Sequence, residues 1–323
     1  MEVFNLTLTQ MLTMFVLLFV GFLLRKKKIL PENAYITLSK LETYALLPAL
    51  NLHTFMNNCT IETFANNYTS MFYGLGVLAL GMTIAYLLCG VFVRNSKSSP
   101  ELAYQKNIYK YALTFGNHGF LGNFIVLGIW GSATLFKYSM FTMLVSIICT
   151  GWGMYILIPK DSQKGSLLKN ISKGIITPPM IAMVIGIIFG LCNLTQYVPK
   201  FAMTVLSNAS SCMGPVAMLL AGVVIGGYDF KELLKNKKVY IASALRLIAI
   251  PALMLTFLKL IGAPEQIQIF ALVAFAAPLG LNTIVYPAAY GGDTKTGASM
   301  TMISSTFSVI TIPLMYLIFI VLL

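Results

Sequence analysis

Acidic residues are scarce in this chain, with 10 Asp and Glu among 323 positions against 22 Lys and Arg, and charge of either sign accounts for 10% of the residues. Soluble domains carry about 25% charged residues. At 58% hydrophobic residues and a mean hydropathy of +0.81, the polar surface is too small to cover a water-soluble body, and no stretch remains for a soluble catalytic domain. Histidine is nearly missing too, present only as His53 and His118. The five cysteines, Cys59, Cys89, Cys149, Cys192 and Cys212, form no CxxC pair and have no histidine beside them, so metal-ligand spacing is lacking. They read as small packing residues, with Cys59 and Cys192 near predicted outer ends where a pairing is open. No HExxH, no paired intramembrane carboxylates and no serine–histidine constellation occurs, which points away from an enzyme and from any bound metal or cofactor.

What the chain does have is apolar length. A membrane span needs about 20 apolar residues, and windows of that kind fall at 7–24, 35–57, 69–93, 108–130, 134–158, 176–195, 198–226, 238–262, 266–290 and 298–322. The first is followed by Arg25, Lys26, Lys27 and Lys28, the reverse of a signal peptide's charge order, so it reads as a retained span. A net charge of +12 would suit nucleic acid in a soluble protein, but here the cations gather in alternate loops. One set holds residues 25–28, Arg94, Lys97, Lys106, Lys160, Lys164, Lys169, Lys173, Lys231, Lys235, Lys237, Lys238 and Lys295, and the other essentially Lys200. This is the positive-inside pattern. It predicts ten spans with both termini outside and a lipid bilayer, not nucleic acid, as the partner. The expected location is the plasma membrane of a bacterium.

Five spans per half forces the second half to insert upside down relative to the first. The expected architecture is therefore an all-α polytopic membrane protein of two inverted five-helix repeats, 1–160 and 161–323. Traces of the repeat are visible. Pro48 in the second span has a counterpart in Pro215 of the seventh, and Asn123-Phe124-Ile125-Val126 followed by Gly131 resembles Asn282-Thr283-Ile284-Val285 followed by Gly291. Gly186 and Gly190, and Gly222 and Gly226, have GxxxG spacing, which suits close internal helix contact, with a homodimer seam as the alternative.

The chemistry is expected in the fourth and ninth spans, where Gly116, Asn117, His118, Gly119, Gly122 and Asn123 face Pro278, Gly280, Asn282, Thr283 and Pro287 across the repeat. Glycine and proline weaken the helical ladder, and freed backbone groups at membrane depth persist only where protein or a water-filled cavity satisfies them. Two broken helices in corresponding positions present half-helix N-termini to an anion. Candidate substrate contacts are Asn117, His118, Gly119, Gly122, Asn123, Pro278, Asn282 and Thr283. Arg246, Glu42 and His53 are candidates for a charge or coupling role, since ionisable residues inside spans mark functional sites. Lys40 is two residues from Glu42 and points away from it on a helix.

Ser39-Lys40-Leu41 leading to Leu47-Pro48-Ala49-Leu50, Gly116-Asn117 with Gly119 and Gly122, Ala277-Pro278 with Asn282, Tyr290-Gly291 and Asp293, and Thr311-Ile312-Pro313 together resemble the auxin efflux carrier family, in order along nearly the whole chain. Bacterial members are similar to malate and malonate permeases. The resemblance implies a secondary transporter of a small organic anion, such as a carboxylate, working by alternating access. It also implies a scaffold from the first two spans of each half, a mobile transport domain from the other three, and broken fourth and ninth spans crossing at the substrate. Asn117 would meet the substrate carboxylate. Phe124 is a departure, standing where the family commonly has proline. A membrane-embedded sensor or channel, or an intramembrane enzyme, are the alternative functions.

Overall fold

The computed structural model describes residues 2–96, 98–160 and 176–322. These residues are helical with no strand among them. Lys97, Lys164, Lys169 and Lys173 lie outside the described residues, as does the start of the expected second half. The principal helices are α1 (Glu2–Lys26), α2 (Ala34–Leu41), α3 (Leu47–Asn58), α4 (Thr69–Phe92), α5 (Pro100–Thr114), α6 (Asn123–Ile148) and α7 (Pro178–Leu191). They continue with α8 (Lys200–Gly226), α9 (Lys237–Ala244), α10 (Ile250–Leu260), α11 (Glu265–Phe275), α12 (Asn282–Ala289) and α13 (Lys295–Tyr316).

Among the described residues, six helical runs are long and apolar enough to cross a membrane, and α7 and α11 are apolar but shorter. The run from Ala34 to Asn58, which carries Lys40, Glu42, Asn51, His53, Asn57 and Asn58, is not one of the six. Another of the six, Pro100–Ile156, extends over 57 residues. At 1.5 Å per residue that is about 85 Å, far more than the ~30 Å hydrocarbon core. It is not one helix. The chain leaves helical geometry after Thr114, and again at Gly131, whose φ of 77° and ψ of −176° no helix accommodates.

The helix opening this run begins eight residues before the 108 expected from hydropathy. Pro100 occupies its first turn and the Ser99 hydroxyl accepts the Leu102 N–H at 3.2 Å, a start signal read from caps rather than from apolarity. Pro215 does not break α8, which runs through it. Pro48 and Pro251 each follow by two residues a π-helical turn, Glu42–Leu46 and Leu245–Ala249, which absorbs the amide that proline lacks.

The polarity of the bundle is inverted relative to a soluble protein. On α13, Ser304, Ser305 and Ser308 are buried while Phe307, Ile310 and Leu314 are exposed. Leu12, Val16 and Phe19 on α1 and Val184, Ile185 and Ile188 on α7 are likewise exposed. An apolar outer belt of this extent is a surface for lipid.

Small residues set the helix contacts. α1 lies along α8, and a Cβ on Gly222 would strike the carbonyl oxygen of Leu18, while one on Gly226 would come within 2.9 Å of the Phe22 carbonyl. α7 lies on α3 in the same manner, with Gly186 facing Phe55 Cβ at 2.8 Å and Gly190 facing the Phe55 carbonyl at 2.8 Å. All four GxxxG glycines thus serve contacts within one chain. α4 packs on α5 and α6, and α13 on α1 and α9. The five cysteines are free thiols, Cys59 and Cys192 included.

Four of the basic segments meet at one end of the bundle. Arg25 lies beside Gly226 and Gly227, Lys238 Nζ donates to the Phe92 carbonyl at 2.7 Å, and Lys295 pairs with Glu232 at 3.3 Å. Lys259, in the last turn of α10, falls toward the other end and adds to Lys200 there.

Gly222→Ala should lower the melting temperature of the purified protein, because overpacking costs about 1–3 kcal/mol. Gly76→Ala, whose added Cβ meets nothing within 4 Å, should be neutral or slightly stabilising, since alanine exceeds glycine by about 0.8–1 kcal/mol in a helix. Equal melting of the two variants would remove the close approach of α1 and α8 as a constraint.

Candidate functional site

The α5 helix ends at Thr114, and Phe115 turns extended at φ −108°, ψ 129° before a π-helical turn, His118–Gly122, opens the run into α6. The α11 helix ends at Phe275, and residues 276–281 are non-helical up to α12. Each break therefore exposes the carbonyls of one helix end and the amides of the next helix start.

The two breaks satisfy one another. Asn117 N–H donates to the Pro278 carbonyl at 2.8 Å, and the Asn117 side chain lies 3.5 Å from the position a Cβ on Gly280 would take. Leu279 N–H donates to the Ser304 hydroxyl of α13 at 3.0 Å. Gly122 N–H returns to the Asn117 carbonyl at 3.0 Å, and the Tyr138 hydroxyl donates to the His118 carbonyl at 3.0 Å.

A second layer of side chains ties the halves together. Asn282 Nδ2 donates to the Tyr111 hydroxyl at 2.8 Å, and that hydroxyl is 3.2 Å from Cys149 Sγ. Arg246, 2% exposed, donates from Nε to the Ala277 carbonyl at 3.2 Å and from Nη1 to the Ala112 carbonyl at 2.8 Å. Its Nη2 has no hydrogen-bond partner among the described residues.

The residues singled out from the sequence have different surroundings. Asn117 and Asn282 are half-buried at the starts of their half-helices. Nothing lies within 4 Å of a Cβ on Gly119, whereas one on Gly122 would run into the Tyr138 hydroxyl. Asn123 and Pro278 are buried, and Thr283 is fully buried with its hydroxyl 3.3 Å from the Gly280 carbonyl. The His118 ring is buried and engaged on both nitrogens, by the Gly116 carbonyl at 3.1 Å and the Ser146 hydroxyl at 3.2 Å. Phe124 packs its ring on Gly214 of α8, and its carbonyl accepts from Gln10 Nε2 at 3.0 Å. The break is thus kept open without proline at that position.

Glu42 and His53 take no part in the hydrogen bonds at the breaks. Glu42 is 0% exposed, and among the described residues both carboxylate oxygens lack a partner and no ion pair joins it to Lys40. His53 is half-buried on α3. Tyr111, Ser146, Cys149 and Ser304 are site residues not singled out from the sequence. The run of hydroxyls through α13, from Ser299 to Ser308, was a usable cue for Ser304, because hydroxyls facing lipid are unfavourable. Tyr111 carried no such mark, since its partners are remote in sequence.

The family described as membrane transport protein matches residues 6–316. An uncharacterized transporter from Methanocaldococcus jannaschii is 31% identical over 205 residues, which span 62% of this chain and 64% of that relative's length, a little under two thirds. With apolar helices, a lipid-facing exterior and a family match along nearly its entire length, the chain is an integral membrane protein that belongs to the membrane transport protein family, that of the auxin efflux carriers.

Proposed function

We propose that the chain is a secondary carrier that moves a small organic anion, in particular a carboxylate, across the membrane by alternating access. The observation that carries this reading is the contact of the two breaks, Asn117 N–H on the Pro278 carbonyl. It sets the starts of two half-helices, at His118 and Asn282, beside each other inside the bundle. Their first-turn amides and positive dipole ends favour a negative charge. Asn117 adds a side-chain amide that makes no hydrogen bond among the described residues.

In this reading the helices make ten crossings in two inverted halves. α1, the run 34–58, α4, the run 100–130 and the run 132–156 form the first. α7, α8, the run 237–260, the run 265–289 and the run 295–322 form the second. Two features support the pairing of halves. Gly131 and Gly291, each following a second half-helix, both have positive φ, at 77° and 71°. The contact of α1 with α8 is also the repeat image of the contact of α7 with α3. α1, α3, α7 and α8 would form the scaffold, with the broken helices in the moving unit. The basic end faces the cytoplasm of a bacterial cell by the positive-inside rule, leaving both termini outside.

Topology is checked by thiol labelling in a background lacking native cysteines: cysteines at Ser98 and Asn236 should be shielded from an impermeant reagent in intact cells, and those at Thr60 and Gln196 should react. Reaction of all four sets aside ten crossings. For function, proteoliposomes should accumulate one or more radiolabelled mono- or dicarboxylates from a panel, and a panel without uptake would remove the carrier reading. Asn117→Ala should weaken affinity for the transported carboxylate roughly tenfold to a hundredfold, since a charge-assisted hydrogen bond is worth about 1.5–3 kcal/mol. Its melting temperature should change little. Asn282→Ala should lose affinity and also melt lower, because its amide is committed to Tyr111. Unchanged affinity with lowered stability in both variants assigns the asparagines to packing.

A further inference from the structure

Below the crossing two helix C-termini converge. Ala112 lies in the last turn of α5, Ala274 in the last turn of α11, and Ala277 in the break that follows. A Cβ on Gly116 would be 2.9 Å from the carbonyl oxygens of both Ala274 and Ala277, and would touch Nη2 of Arg246. Carbonyls freed at half-helix C-termini carry the negative end of the dipole, and in transporters with broken helices such carbonyls coordinate a coupling cation. Here the cation is part of the chain. Two guanidinium nitrogens of Arg246 donate to Ala277 and Ala112, one carbonyl from each half of the chain. Neither ion pair among the described residues, Arg25 with Glu32 or Lys295 with Glu232, involves Arg246, so these carbonyls are its direct counterweight.

We infer that Arg246 is a tethered substitute for a coupling cation: it holds the two half-helix C-termini together, and the anion site above them assembles without an alkali cation from solution. Guanidinium suits this task. It stays protonated, its donors are fixed in a planar fork, and it is more weakly hydrated than an ammonium. A bound sodium ion leaves and returns in each cycle, whereas the charge on Arg246 remains. Arg246 is therefore a positioning residue, acting through the backbone it pairs. The relevance of this to transport rests on the carrier reading, but the contact is tested with no substrate present.

The experiment compares melting temperatures of purified wild type, Arg246→Lys, Arg246→Met and Arg246→Ala in chloride salts of choline, sodium, potassium and, well below denaturing concentration, guanidinium. Wild type should melt alike in all four. Arg246→Ala should melt lower and recover by about 4 °C with guanidinium or an alkali cation, as expected for a ligand that binds the folded state alone. Arg246→Lys should melt nearer to wild type than Arg246→Met, which keeps the apolar stem without the charge. Failure of the neutral variants to fold beside a folded lysine variant supports the same requirement for charge. The inference is overturned if sodium or potassium raises the wild-type melting temperature above that in choline. It is overturned equally if the lysine and methionine variants are impaired alike, or if no cation restores the alanine variant.

Discussion

Over residues 115–117 and 276–281 the backbone leaves helical geometry inside a bundle that faces lipid, and each group set free has to find a partner within the protein. The arrangement around the crossing follows from that constraint. The amide of Asn117 is paired by Pro278, that of Leu279 by Ser304, and the carbonyls of Ala112 and Ala277 by Arg246. Every one of these pairings joins elements that are distant in the chain. The breaks therefore hold each other in place, and neither half would keep its geometry alone.

Sorting the released groups by sign explains the layout of the site. The C-terminal ends, rich in carbonyls, point to one side of the crossing and take a fixed cation. The N-terminal ends, rich in amides, would suit a ligand of negative charge on the proposed carrier reading. Gly119 has open space beside it and Asn117 is half-buried against Gly280, while His118, Gly122 and Thr283 are spent on internal packing. A polar residue near a break can serve either use. Which one it serves depends on whether its partner is already supplied from another helix.

Outside the crossing, association of the helices relies on close fit, because lipid chains are as apolar as the residues that face them. Glycines provide that fit where α1 meets α8 and α3 meets α7. Buried hydroxyls on α13 add polar contacts in the interior, as at Ser304. Glu42 stays apart from both schemes, a fully buried carboxyl in a π-helical turn with no partner for either oxygen among the described residues.

The sequence by itself determined the solvent of this protein, the position of nearly every apolar helix and the two places where helices fail. Those properties are local: a run of about 20 apolar residues, a cluster of cations after it, or glycine and proline within it acts on the chain nearby. The start of α5 escaped because Glu101, Gln105, Lys106 and Asn107 lower its hydropathy, while Ser99 and Pro100 fix it through capping. Only the tertiary structure decided that Arg246 bonds backbone carbonyls from both halves, that His118 is occupied on both ring nitrogens, and that Tyr111 holds Asn282 across 171 positions of sequence. The physical reason is that a buried donor is defined by the acceptor it meets, and at these sites the acceptor comes from a segment whose distance in space no local pattern records.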